Sequence, residues 1–159
     1  MERMLETNIP LVDYVTISTD DSCFKGSHAQ TKNQIGQRET KGRGAGADPE
    51  KGRRSAVENK KDIERAIQDA DMLFIAAGMG GGTGTGAASV VAEVARELGI
   101  LTVAIVTTPF AFEGKRRKQN ALEGISVLQE YADANIIMGM NFDDTMNDDI
   151  KVVLFATKK

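Results

Sequence analysis

The sequence has little of three features that would mark an unusual class of protein: cysteine, long apolar runs and an excess of positive charge. Cys23 is the only cysteine in 159 residues, so no intrachain disulfide can form and nothing indicates an oxidising compartment. No apolar run approaches the roughly 18 residues of a transmembrane helix, and Met1–Asn8 is too charged and short for a signal peptide. The net charge of -3 gives no reason to expect a nucleic acid partner. We therefore expect a cytoplasmic protein that does not insert into a membrane.

Ordinary contents of hydrophobic residues (41%) and charged residues (27%) are typical of a globular chain that buries a real core. Runs rich in apolar and β-branched residues predict strands at Val12–Ser18, Thr31–Gly36, Met72–Ala77, Leu101–Val106 and Ile136–Met138. Helical spacing predicts helices at Asn59–Ala70, Ala87–Leu98 and Gly114–Ala132, and a further helix starting at Asp48-Pro49-Glu50. This alternation predicts an α/β fold with three layers and a mostly parallel sheet.

Two finer predictions concern burial. Met72–Ala77 and Leu101–Val106 are continuous apolar runs, which is typical of strands covered on both faces. In the last predicted helix, Leu122, Ile125 and Leu128 are expected to face inward.

The strongest local signal is the segment Gly80–Gly86 (G-G-G-T-G-T-G), between a predicted strand and a predicted helix. Glycines let a backbone turn tightly and approach an anion without a Cβ in the way. The free N–H groups of the following helical turn would point at that anion. Thr83 and Thr85 would add hydroxyl donors. The segment therefore predicts a phosphate site at the carboxyl ends of the strands.

Four interpretations of this segment compete. A Walker A loop requires a lysine that the segment lacks. A dinucleotide site requires an acid at the end of the next strand, which instead ends in Thr107-Thr108-Pro109. A flexible linker is disfavoured directly between a buried strand and a helix. The tubulin-type signature G-G-G-T-G-[ST]-G matches at every position.

Three blocks carry a wider resemblance: Gly44–Glu50 (G-A-G-A-D-P-E), Ala77–Ala88 (A-G-M-G-G-G-T-G-T-G-A-A) and Val106–Arg117 (V-T-T-P-F-A-F-E-G-K-R-R). With these blocks in the family's order, the chain resembles the FtsZ family of bacterial tubulin homologues from about Met1 to Met138. The resemblance implies a Rossmann-like GTP-binding domain. It also implies GTP hydrolysis, and filaments of the division ring at midcell.

The resemblance implies GTP or GDP as the ligand, with Mg²⁺ as a possible companion. Phosphate contacts would come from the glycine-threonine segment, the γ-phosphate would be covered by Gly44–Gly46, and Glu113 would reach the ribose beside Arg117. The implied binding residues are Gly44, Ala45, Gly46, Gly80, Gly81, Gly82, Thr83, Gly84, Thr85, Gly86, Glu113 and Arg117. From the residues alone, Glu113 is better explained as an acid at a helix start, and Arg117 as a solvated cation.

Departures from the family pattern shape the functional expectation. The chain begins after the family's first strand and glycine loop, and the acid-bearing loop that completes a neighbour's active site is missing. We interpret residues 1–138 as a partial GTP-binding domain and 139–159 as a remnant (loop plus strand) of the second domain. The apolar tail Ile150–Ala156 is expected to fill a gap between Val12–Ser18 and Met72–Ala77. The alternative is a hairpin against Asn135–Met138 at the edge of the sheet.

These departures predict a chain that binds GTP weakly and hydrolyses it poorly, with no catalytic or metal-binding residue of its own. Its expected partners are copies of itself or full-length FtsZ. Two alternatives are a non-catalytic fragment that caps filaments and a poorly folded remnant that does not depend on nucleotide.

Overall fold

The computed structural model describes residues 11–25, 27–131 and 137–139. Its strands form two sheets in which all neighbours are parallel. One sheet pairs β1 (Val15–Ser18) with β2 (Thr31–Gln34). The other has the order β3 (Met72–Gly78), β4 (Leu101–Thr107), β5 (Ile137–Gly139). The prediction of an α/β fold with parallel pairing is confirmed.

Helices connect these strands, and one of them forms the centre of the core. They are α1 (Gln37–Thr40), α2 (Pro49–Glu58), α3 (Lys60–Ile67), α4 (Thr83–Glu97) and α5 (Lys115–Tyr131), with short 3₁₀ segments at Asp21–Phe24 and Ala111–Glu113. Helix α4 packs against α2, α3, α5, β3 and β4. Because it has neighbours on most sides, ten of its residues are buried, including Val90 and Val94. None of the helices in these described ranges is long and apolar enough to cross a membrane.

The start of α2 follows the predicted capping pattern. The Asp48 carboxylate accepts the N–H groups of Glu50 (3.0 Å) and Lys51 (3.2 Å). Pro49 occupies the first helical position, where no N–H is needed. The free N–H groups at this helix start are therefore partly satisfied by the chain itself.

Helices α2 and α4 cross with their backbones in direct contact. A Cβ added at Gly52 would lie 2.2 Å from the carbonyl oxygen of Gly82. A Cβ added at Gly86 would lie 2.0 Å from the carbonyl oxygen of Pro49. These distances leave no room for a side chain, so glycine is required at both positions. The crossing therefore fixes the starts of the two helices side by side.

The predicted strands are present, but the prediction that Met72–Ala77 and Leu101–Val106 are covered on both faces is wrong. Strand β1 begins at Val15, three residues later than predicted. In β3, Ile75 is buried, but Phe74 on the opposite face is 37% exposed, and Leu101 in β4 is 45% exposed. Within the described residues α4 covers one face of this sheet, which leaves the face with Phe74 and Leu101 partly open.

The helix predictions also needed two corrections. Helix α4 begins at Thr83 rather than Ala87, so the last four of the seven residues of the glycine-threonine segment are helical. On α5, Leu122 is 53% exposed, and Ala121 is buried together with Ile125 and Leu128. Ala121, Ile125 and Leu128 repeat at helical intervals, whereas Leu122 is rotated by about 100° from Ala121 and faces outward.

The expectation for the tail after Gly139 lies outside the described residues. Strands β1 and β3 do not pair with each other in the described part of the chain. Whether residues 150–156 pair with them stays a prediction.

We expect Gly52→Ala to destabilise the chain by about 1–2 kcal/mol, because the new methyl group would press on a backbone oxygen that cannot move cheaply. The gain in helix propensity offsets only part of that cost. Gly81→Ala is the matched control, since nothing lies within 4 Å of its added Cβ. Urea denaturation of both variants measures the difference. Equal midpoints for Gly52→Ala and the unaltered chain would contradict the close crossing.

Candidate functional site

The three segments that the sequence singled out lie together at the carboxyl ends of the strands. A Cβ added at Gly82 would lie 2.4 Å from the carbonyl oxygen of Gly46 and 2.8 Å from Cβ of Ala45. A Cβ added at Gly80 would lie 2.9 Å from the carbonyl oxygen of Arg117. The glycine-threonine segment is thus flanked on one side by the 44–46 loop and on the other by the first turn of α5.

The N-terminus of α4 is open, in contrast to that of α2. Its N-cap is Gly82, which has no side chain to cap the helix. Among the described residues, the N–H groups of Gly81, Gly82, Thr83 and Gly84 have no acceptor. Unpaired N–H groups at the positive end of a helix dipole form a binding site for an anion. The open space beside Gly81 lets an anion come close to these groups.

Other members of the segment hold its shape. Thr85 is 3% exposed, and its hydroxyl accepts the N–H of Gly80 at 2.8 Å. Gly80 has a φ of 99°, which favours glycine. The N–H of Gly86 donates to the carbonyl of Gly82 at 3.0 Å, and a Cβ at Gly84 would lie 2.4 Å from the carbonyl oxygen of Gly78. The hydroxyl of Thr85, which was predicted to donate to the anion, therefore already accepts a hydrogen bond inside the turn.

Thr83 is the half-buried threonine of the segment, and its hydroxyl oxygen lies 2.6 Å from that of Thr19. Sequence reasoning gave Thr19 no role. The available signal was its position directly after β1, at the same sheet edge. Asn120 on α5 was also missed, and its side-chain amide donates to the carbonyl of Ala47 at 3.3 Å. These two contacts attach neighbouring elements to the site.

The loop at 44–46 has a defined backbone. Gly44 and Gly46 have φ angles of 80° and 63°, a left-handed conformation that glycine adopts without strain. The N–H of Gly44 donates to the carbonyl of Thr19 at 3.0 Å. Ala45 is buried, with its Cβ directed at Gly82. The loop is therefore held against the start of α4.

Glu113 and Arg117 form an ion pair beside this site. The Glu113 carboxylate accepts the N–H of Phe110 at 2.8 Å and the Arg117 guanidinium at 2.5 Å. The Phe110 N–H and then the Arg117 guanidinium hold the pKa of Glu113 below its ordinary value. Both side chains are partly exposed, at 24% and 50%. This contact explains Glu113 as a capping acid, and its contact with a ribose stays a prediction.

The fold and the open helix start together define an α/β domain with a candidate anion site at the carboxyl ends of parallel strands. The family model for the GTPase domain of the Tubulin/FtsZ family matches residues 6–141. Because this match covers most of the chain, the protein belongs to the Tubulin/FtsZ family.

Solved structures agree with this assignment. FtsZ from M. jannaschii, solved as an empty dimer, matches with a TM-score of 0.81 and 45% identity over 83% of this chain and 38% of that chain. CetZ1 from Haloferax volcanii, a GDP-bound monomer, matches with a TM-score of 0.72 and 26% identity over 78% and 40%. CetZ2 from the same organism, a GTPgS-bound protofilament, has a TM-score of 0.73 and 26% identity over 79% and 39%. The chain thus spans about two fifths of these relatives.

We expect Thr85→Val to destabilise the chain by about 1–2 kcal/mol, because the buried N–H of Gly80 would lose its acceptor. Thr85→Ser is the control, since it keeps the hydroxyl. Thermal unfolding of the two variants, with hydrogen exchange at the Gly80 amide, measures the effect. Slow amide exchange at Gly80 in Thr85→Val would show that the hydroxyl is not the acceptor that matters.

Proposed function

We propose that this chain binds GTP or GDP with its phosphates at the N-terminus of α4, as an FtsZ-like subunit. The observation that carries the proposal is the uncapped helix start: the N–H groups of Gly81–Gly84 have no acceptor within the described residues. A short distance away, Asp48 caps α2 with its own carboxylate. A capping acid at α4 would compete with a phosphate for the free N–H groups. Glycine at the N-cap leaves these groups available to a phosphate.

Each part of the site has a role in this proposal. The N–H groups of the segment and the hydroxyl of Thr83 would donate to phosphate oxygens. The Gly44–Gly46 loop, held against Gly82, would cover the γ-phosphate. Arg117 and Glu113 would reach the ribose side of the nucleotide. Mg²⁺ would accompany the phosphates and neutralise part of their charge.

Polymerisation is the second part of the proposal. Among the similar structures, the M. jannaschii FtsZ is a dimer and the Haloferax CetZ2 is a GTPgS-bound protofilament. These matches support a partner that is another copy of this chain or a full-length relative. We place such filaments in the cytoplasm, at the division site. Nothing in the described residues favours the alternative of a capping fragment over a filament subunit.

We expect Gly81→Ala to weaken GTP binding by about tenfold or more, since the methyl group would enter the space of the phosphate. The same methyl group has no protein atom within 4 Å, so the melting temperature without ligand should stay unchanged. Isothermal titration calorimetry with GTP, and with NAD as the competing ligand class, measures both affinity and preference.

Two results of this titration would contradict the proposal. Equal GTP affinity in the variant and the unaltered chain would show that the phosphates do not bind at the N-terminus of α4. Tighter binding of NAD than of GTP would contradict a guanine nucleotide site. Arg65→Gln, on α3 and outside the proposed site, is the matched control that should bind GTP as the unaltered chain does.

Three described carboxylates near the site accept hydrogen bonds from the chain. Asp48 caps α2, and Glu113 accepts from Phe110 and Arg117. Asp20 accepts the N–H and the hydroxyl of Ser22 at 2.8 and 2.6 Å. Hydrogen bonds from Ser22 lower the pKa of Asp20, as those from Phe110 and Arg117 lower that of Glu113. A lowered pKa makes a carboxylate a weaker base for activating water.

We therefore expect the purified chain to hydrolyse bound GTP very slowly, because Asp20, Asp48 and Glu113 are held by hydrogen bonds that the chain itself supplies. Loss of a positioned catalytic group commonly costs about 10²–10³ in rate. Phosphate release from the chain at saturating GTP measures the turnover. A rate of about 1 s⁻¹ or more, in the ordinary range for enzymes, would contradict this expectation.

A further inference from the structure

Thr19 is a buried polar residue at the meeting point of the two loops of the site. It is 0% exposed and follows β1 directly. Its carbonyl oxygen accepts the N–H of Gly44 at 3.0 Å and the hydroxyl of Thr40 at 3.1 Å. Its hydroxyl oxygen lies 2.6 Å from that of Thr83. One residue thus connects the 44–46 loop with the first residue of α4.

The direction of the hydrogen bond between the two hydroxyls depends on the ligand. A hydroxyl has one hydrogen to donate and two lone pairs to accept with. If Thr83 donates its hydrogen to an anion at the open helix start, it can only accept from Thr19. Thr19 then donates, and its hydroxyl has no other partner among the described residues. Each bond in such a chain polarises and strengthens the next.

We propose that Thr19 is a positioning residue that directs the hydroxyl hydrogen of Thr83 toward a bound phosphate. Thr19 itself does not touch the ligand, because its side chain is fully buried. Its own position is fixed through the bonds from Gly44 and Thr40 to its carbonyl. This inference rests on the proposed nucleotide site and adds a residue that acts on the ligand only through Thr83.

Thr19→Val tests the idea with little change of shape. The variant removes the hydroxyl and keeps the carbonyl that accepts from Gly44. We expect affinity for GTP and for inorganic triphosphate to fall by about five- to tenfold, the loss of roughly one hydrogen bond. Thr19→Ser keeps the donor and should bind within about twofold of the unaltered chain.

The matched control is Thr102→Val on β4. Thr102 is 1% exposed, and its hydroxyl donates to the carbonyl of Ile100 at 3.0 Å, away from the site. Like Thr19→Val, this change removes a buried hydroxyl, but it should leave both affinities unchanged. A role in stability alone would lower the melting temperature in both valine variants and the affinity in neither.

A double-mutant cycle identifies Thr83 as the residue through which Thr19 acts. In a Thr83→Val background, Thr19→Val should change affinity by less than about twofold, because the relay is already broken. If Thr19→Val does not fold by circular dichroism, Thr19→Ala takes its place in the cycle.

The outcomes separate this inference from the proposed function. If the unaltered chain binds neither GTP nor inorganic triphosphate, both are overturned. If it binds them and Thr19→Val binds equally well, the positioning role alone is overturned. The same holds if the losses from Thr19→Val and Thr83→Val multiply in the double variant.

Discussion

The backbone contact between α2 and α4 is the constraint on which the rest of the site depends. Gly52 and Gly86 let the helices approach until an added Cβ would lie 2.2 or 2.0 Å from a carbonyl oxygen. Because the helices start at this contact, the loop before α2 lies directly against Gly82 at the start of α4. Without the contact, the 44–46 loop and the glycine-threonine segment would not be held against each other.

The N-termini of the neighbouring helices α2 and α4 differ in how they are capped. At α2 the chain supplies its own anion, the carboxylate of Asp48. At α4 it supplies a glycine and no acid, so the dipole and the free N–H groups remain for a ligand. The nearby acids Glu113 and Asp20 are held by hydrogen bonds that lower their pKa. In the proposed function, phosphate binding would therefore rely on backbone dipoles and threonine hydroxyls, with Arg117 as a cation beside the site.

Much of the fold and the outline of the site followed from local patterns in the sequence. The cap of α2 was readable because Asp48-Pro49-Glu50 acts within one helical turn. Helical spacing predicted a helix at Asn59–Ala70, and α3 lies there with Ile63 and Ile67 buried. Burial was harder to predict from the sequence, because Phe74 lies in an apolar run but is 37% exposed. A run of apolar residues predicts a strand, but what covers each face depends on segments far along the chain.

By itself, the sequence determined the class of fold and the place of the glycine-threonine segment between a strand and a helix. It also determined the family, because it matches the model of the Tubulin/FtsZ GTPase domain. These depend on residue type and short spacing, which local sterics translate directly into structure. Only the tertiary structure decided that Thr85 bonds inside the turn and that Thr83 contacts Thr19. Thr19 and Thr83 are 64 positions apart, and no short-range rule relates residues at that separation. Their contact exists because packing of the core brings the end of β1 to the start of α4.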